Sequence, residues 1–219
     1  QIAKDEVWVG DFIFEDLNKD GVINEQDRTF LGNPEPKFSY GFNNTFTYKG
    51  FDLNIFINGV YGNKLINMFR QDFTNPMRNS NLLKEATGIA KVDVIDSSSP
   101  DDAIWNVHVS NPESATVQRL TTADANNNNR MSNRFVEDGS YLRIKNISLG
   151  YTFPKKWIRK WRIDNLRIYM NVQNAFTFTK YKGYDPEVGA YNYNVLLRGV
   201  DYVRYPSQRI YTFGLNLSF

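Results

Sequence analysis

An all-β fold, an antiparallel sheet of the kind that forms a transmembrane β-barrel wall, is predicted by three observations. Segments of 10 to 15 residues alternate apolar with small polar side chains. The connections between them alternate short and long. No run approaches the roughly 20 apolar residues a membrane helix needs, whereas a barrel strand needs only about 10 with half of them apolar. The chain has 219 residues and is 15% aromatic, with 16 Phe and 13 Tyr against 4 Trp, which suits side chains at a membrane boundary.

The elements follow in order. Residues 1–37 read as a loop region. Its first six residues, Gln1-Ile-Ala-Lys-Asp-Glu6, hold neither an initiator Met nor the apolar core of an export signal. A segment of a longer protein is therefore expected. Residues 38–61 read as a hairpin. In its first strand Phe38, Tyr40, Phe42, Phe46 and Tyr48 share one face, and Ser39, Gly41, Asn43, Thr45 and Thr47 share the other. After a tight turn at Lys49-Gly50, Phe51, Leu53, Ile55, Ile57 and Tyr61 oppose Asp52, Asn54 and Asn58.

Residues 62–140 form a long polar connection with an Asn run, Asn126-Asn-Asn-Asn129, expected to be a flexible surface loop, and a short helix over 82–89. Residues 141–179 read as a second hairpin. Ile147, Leu149, Tyr151 and Phe153 face one way in its first strand. Arg143 and Lys145 fall on that same register, which predicts that the start of this strand projects above any lipid. A connector, Pro154-Lys-Lys-Trp-Ile-Arg-Lys-Trp-Arg162 and on to Asn165, suits one helical turn with Pro at its start. The second strand puts Leu166, Ile168, Met170, Val172, Phe176 and Phe178 on one face.

A long connection, 180–206, leads to the terminal strand, 207–219. There Tyr211, Phe213, Leu215, Leu217 and Phe219 alternate with Thr212, Gly214, Asn216 and Ser218. Short turns inside and long loops outside are the habit of outer-membrane barrels, so 62–140 and 180–206 are expected at the cell surface. A soluble extracellular all-β binding module with a structural calcium is the alternative, because a sandwich also alternates.

One motif carries chemistry. Asp16-Leu-Asn18-Lys-Asp20-Gly21-Val22-Ile-Asn24-Glu-Gln-Asp27 fits the calcium-loop pattern D-x-[DN]-x-[DN]-G. Asp16, Asn18, Asp20 and Asp27 offer side-chain oxygens, Val22 its carbonyl, and Asn24 a direct or water-bridged ligand to Ca²⁺. Asp27 stands where an EF-hand has a bidentate Glu, and its shorter reach weakens the site. An Asx-rich turn without an ion accounts for the same residues. Flanking helices are not expected, so the loop would stiffen structure and not act as a sensor.

Other chemistry is not supported. The net charge of +2 gives no basis for nucleic-acid binding. The lone His108 has no sequence partner, no nucleophile elbow or P-loop occurs, and Cys is absent, so no enzyme is expected. The loop aromatics Trp105, Tyr181, Tyr184, Tyr191 and Tyr193 could stack on sugars, but packing among the loops explains them as well.

Several blocks resemble the C-terminal region of SusC/RagA-type TonB-dependent transporters. They are the 16–27 loop with Thr29-Phe-Leu-Gly-Asn-Pro-Glu-Pro-Lys-Phe-Ser-Tyr-Gly-Phe42, Tyr48-Lys-Gly-Phe-Asp-Leu53 and Gly59-Val-Tyr-Gly-Asn63. Tyr141-Leu-Arg-Ile-Lys-Asn-Ile-Ser-Leu-Gly-Tyr151, Val172-Gln-Asn-Ala-Phe-Thr-Phe178 and Tyr181-Lys-Gly-Tyr-Asp-Pro-Glu187 follow, with the ending Tyr-Thr-Phe-Gly-Leu-Asn-Leu-Ser-Phe219. The match is weakest over 73–130. The resemblance implies a 22-stranded outer-membrane barrel with a plug that imports glycans or peptides. It implies energy from TonB, through a plug region this chain lacks, and a SusD-like surface lipoprotein as lid. About five strands would be present here, and the partners would include outer-membrane lipid.

Overall fold

Ten strands and two short helices appear in the computed structural model, which describes residues 7–100, 103–189 and 194–219. The strands are β1 (Phe38–Tyr48), β2 (Phe51–Tyr61), β3 (Lys64–Asn67), β4 (Val92–Val94), β5 (Val107–Val109), β6 (Val136–Asp138), β7 (Tyr141–Thr152), β8 (Asn165–Thr179), β9 (Val200–Asp201) and β10 (Ile210–Ser218). The helices are α1 (Met68–Phe73) and α2 (Lys155–Ile158). Gln1–Glu6, Tyr191 and Tyr193 lie outside the described residues. The chain divides into two units, Gln1–Leu31 with Asn67–Val136, and Gly32–Ile66 with Glu137–Phe219.

The second unit is built on a five-stranded antiparallel sheet in the order β1-β2-β7-β8-β10. Each long strand coincides with a stretch of alternating side chains, within three residues at either end. β1 and β2 pair from Tyr48↔Phe51 to Phe38↔Tyr61, so the hairpin loop is Lys49-Gly50 alone. Both residues take positive φ, 46° and 90°. A two-residue turn of that kind matches the right-handed twist of the strands. A Cβ on Gly50 would lie 2.6 Å from the Thr152 carbonyl oxygen, which keeps the position for glycine.

The register aligns residues into rows across the sheet. Phe46, Leu53, Leu149, Met170 and Phe213 form one row, and Tyr48, Phe51, Tyr151, Ile168 and Leu215 the next. These rows are apolar, and they are open: Phe46 is 60% exposed, Leu215 61% and Phe213 75%. Aromatic rings meet at both ends of the sheet, with aliphatic side chains and the rings of Phe42, Phe176, Tyr211 and Phe213 between them. Phe51, Tyr151, Phe153 and Trp157 make a continuous ladder at the short-turn end, with ring centroids 4.5, 5.0 and 6.4 Å apart. Phe38 and Tyr61 meet at 5.4 Å at the other end.

One strand departs from the sequence reading. β7 carries a bulge at Lys145: Asn146 pairs with Phe56, but Ile144 pairs with Ile57. The extra residue reverses the alternation. Ile144 and Leu142 thus join the apolar face, and Arg143 turns to the polar face, where it is 2% exposed. The expectation that Arg143 stands on the apolar register is corrected by this single inserted residue.

The first unit has little apolar core. Trp8, Val92 and Val107 form its cluster, with Val9 packed against it. Val92 and Val107 sit on the antiparallel pair β4–β5, which also carries His108 opposite Asp93. The helix expected over 82–89 is a 3₁₀ turn, Lys84–Thr87, ending at Gly88. The Asn run is partly buried and hydrogen-bonded, where the sequence suggests a flexible surface loop. Asn128 is 2% exposed; its amide donates to Asp124 at 2.7 Å and Asp11 at 3.1 Å, and its Oδ1 accepts from the Phe12 N–H at 2.8 Å. Asn126 donates to the Phe12 carbonyl at 2.8 Å. Asn amides satisfy the backbone of an extended segment, a function that composition does not reveal.

Candidate functional site

The calcium-type loop folds around its own oxygens. Asp16 accepts from the N–H groups of Lys19 at 2.6 Å and Gly21 at 2.8 Å. Asp20 accepts from Val22 at 2.8 Å, and Asn18 accepts from Asp20 at 3.0 Å. Lys19 and Gly21 take φ of 61° and 82°, the sharp bend that Gly21 permits. Asn24 caps the 3₁₀ turn Glu25–Asp27, with Asp27 returning a bond to the Asn24 N–H at 2.8 Å. Asp27 also accepts from Leu17 at 2.9 Å. Its carboxyl is held below the usual range, chiefly by the Asn24 N–H, which acts against desolvation with help from Leu17, Asn18 and Asp16.

The six sequence-selected positions, Asp16, Asn18, Asp20, Val22, Asn24 and Asp27, are thus brought into one turn. Among the described residues no group of three or more His, Cys, Asp or Glu side chains is placed to hold a metal. Any ion here would need the amide and carbonyl oxygens of Asn18 and Val22 beside the carboxylates.

The polar face of the sheet is the second element. Asp52 and Arg167 form an ion pair across β7, with Arg167 Nε 3.1 Å from Asp52 Oδ1. The pair passes over Gly150, where a Cβ would lie 2.4 Å from the guanidinium. The Tyr169 ring covers Gly214 in the same way, leaving 2.1 Å for a Cβ. Asn54 bridges Asn43 and Thr45, at 2.9 Å each. This face is a hydrogen-bonded polar surface, the opposite of its reverse.

The third element was not found from sequence. Arg143, delivered to the polar face by the bulge, holds Asp185 at 2.5 Å, Glu187 at 2.7 Å and Thr177 at 2.9 Å. Lys145 reaches Glu187 at 2.9 Å. Burial acts to raise the Asp185 carboxyl, but the N–H groups of Glu187 and Ser207, the Ser207 side chain and Arg143 outweigh it and hold it at about 2. The cluster ties Asp185 and Glu187, which follow β8, to β7 of the sheet. Tyr181 is buried nearby, with its hydroxyl donating to Asp201 at 2.6 Å, so it is not presented for stacking. Trp105 and Tyr184 are exposed.

No family model matches the chain. Its relatives are more informative. TonB-dependent receptor P3 of Formosa agariphila is 34% identical over 216 residues, which are 96% of this chain and 19% of that receptor. TonB-dependent receptor P39 of the same organism is 33% identical over 215 residues, 96% of this chain and 19% of that receptor. TonB-dependent receptor SusC of Bacteroides thetaiotaomicron is 26% identical over 208 residues, 94% of this chain and 17% of that receptor. Over nearly its whole length the chain is similar to a segment of these TonB-dependent receptors, SusC among them.

It spans about a fifth of the length of the curated relatives it matches. Solved structures agree on the fold. The RagAB peptide importer in the open-open state matches with a TM-score of 0.64 at 23% identity, over 96% of this chain and 21% of that one. The RagAB peptide transporter matches at 0.63 and 23%, over 86% and 18%. These relatives are named as receptors, and none of the names is that of an enzyme.

Proposed function

We propose that this chain is the C-terminal part of the barrel wall of a TonB-dependent transporter in the outer membrane. The supporting observation is the two-faced sheet. One face is an apolar, aromatic-margined surface open to its surroundings, and the other is a hydrogen-bonded polar surface. A soluble module would bury the first face; lipid covers it without further protein. The wall belongs to a larger barrel, of 22 strands on the family pattern, whose plug region engages TonB. The cargo is a glycan or a peptide, and a SusD-like lipoprotein closes the mouth. Residues 62–140 and 180–206 lie at the cell surface.

Fractionation of producing cells tests this. An antiserum against the chain should detect a detergent-extracted outer-membrane protein well above 25.4 kDa whose gel migration changes on heating. Recovery in the soluble fraction without detergent would overturn the reading. Cleavage of intact cells by external protease within 62–140 tests the loop assignment, and co-purification tests the lipoprotein lid.

The 16–27 loop is proposed as a structural Ca²⁺ site. The oxygen-only ligand set suits a hard cation. Bound Ca²⁺ would neutralise the carboxylates it meets and stiffen the turn. Calorimetric titration of calcium-stripped protein should give binding that Asp20→Ala abolishes, and no heat at millimolar Ca²⁺ would refute the site.

A further inference from the structure

Between β7 and β8 lies a strongly cationic turn that the transport reading does not use. α2 and the 3₁₀ turn Arg159–Trp161 carry Lys155, Lys156, Arg159 and Lys160, all exposed, with Trp157 59% and Trp161 60% exposed between them. Among these residues there is no acidic side chain; Asp164 is the first one after them. Ile158 is 1% exposed and anchors the turn, and Arg162 ends it with a φ of 58°. None of the four cations forms an ion pair with a carboxylate among the described residues, whereas Arg143 and Arg167 elsewhere in this unit do. Lys160 lies 4.8 Å from the Trp161 ring.

The position of the turn decides what it meets. Trp157 is the last ring of the ladder Phe51–Tyr151–Phe153–Trp157, and that ladder runs along the apolar face. The turn therefore continues the apolar surface and does not open onto the polar one. Lys49 of the adjacent hairpin turn adds a further cation, and the Gly50 carbonyl next to it accepts from the Thr152 N–H at 2.8 Å. Trp at the edge of an apolar band sits at headgroup depth, and Lys and Arg beside it meet lipid phosphates.

We infer that the β7–β8 turn is an anionic-phospholipid site, in which Trp157 and Trp161 seat between acyl chains and headgroups while Lys155, Lys156, Arg159 and Lys160 bind the phosphates. The site rests on the barrel-wall reading and faces the periplasmic leaflet, where short turns lie.

Native mass spectrometry of the intact, detergent-purified receptor tests it, with equal amounts of phosphatidylglycerol and phosphatidylcholine added. The wild type should retain phosphatidylglycerol preferentially. Lys155→Gln with Lys156→Gln, Arg159→Gln and Lys160→Gln should cut that preference about tenfold or more. Trp157→Ala with Trp161→Ala should lower retention of both lipids alike. Heat-modifiable migration confirms that each variant is folded.

An unchanged preference in the folded quadruple variant overturns the inference and leaves the barrel reading intact. Displacement of the lipid preference by millimolar inorganic phosphate would assign a free-anion site and also overturns it. A receptor that is not membrane-embedded overturns both readings together.

Discussion

The two units place polar and apolar groups in opposite ways. The unit of 7–31 and 67–136 buries charge and amide: Arg119, Gln118, Asn106, Asn128 and Thr74 are all within 2% of full burial, against three large apolar side chains in its cluster. The sheet of the other unit turns Phe42, Phe46, Leu149, Phe213 and Leu215 outward. The first unit is held by specific hydrogen bonds, each costly to leave unmade. The sheet is held by its backbone ladder and, on the barrel-wall reading proposed above, by lipid against its apolar face. Single polar deletions should therefore damage the first, and single charges on one face should damage the second.

The largest effect is expected in the polar unit. Arg119 and Asp11 are paired at 3.0 Å with side chains 1% and 3% exposed. Arg119→Ala leaves the buried Asp11 carboxylate without its cation, with the Trp8 N–H and the Asn128 amide still donating to it, and should cost about 3–5 kcal/mol. Hydrogen exchange should show loosened amides across 84–130 with sheet amides unchanged; equal protection in both units would break the contrast.

Next comes a test of the two sheet faces. Ile147→Arg, in the middle of the apolar face, should cost about 2–4 kcal/mol, while Ser148→Arg on the polar face should be close to neutral. Urea titration of the intact receptor in lipid, followed by heat-modifiable migration, checks the pair. Equal costs would remove the distinction between the faces.

A smaller effect follows from pH. The Asp185 carboxyl lies at about 2 when folded, below its ordinary 3.8. Its stabilisation is complete above that ordinary value and is lost as the pH falls through about 2, and amounts to about 2 kcal/mol at most. Proteolysis of the 180–189 segment should accelerate over that window, and Asp185→Asn should flatten the pH dependence. The smallest effect belongs to Asn24→Ala, which removes the cap accepting from Gln26 N–H at 2.7 Å and should cost within about 1 kcal/mol. Thermal unfolding with and without Ca²⁺ would sharpen this: a cost that grows with Ca²⁺ marks Asn24 as a ligand as well as a cap.

What the sequence made legible follows the same division. Period-two alternation is written in single residues, so Phe38–Tyr48 and Phe51–Tyr61 were found to the residue, and Lys49-Gly50 marked their turn. The bulge at Lys145 left no such mark, because Tyr141-Leu-Arg-Ile-Lys still alternates when read alone. Its displacement is visible only against the registers of β2 and β8, and with it the destination of Arg143. The hydrogen-bonded packing around Asn128 was equally hidden. Asn128 is held by Asp11 and Phe12, more than a hundred positions away, and no local pattern encodes such a partner. The turn of 16–27 was legible because its donors and acceptors lie within a dozen residues of one another.

The order β1-β2-β7-β8-β10 has a consequence of parity. Each neighbouring pair is antiparallel and the count is odd, so the two outermost strands, β1 and β10, point in the same direction. Rolled up on itself, the sheet would join two strands of like direction and break its own antiparallel rule. A closed antiparallel ring containing this sheet must therefore interpose an odd number of further staves between β10 and β1, bringing the total to the even count such cylinders require.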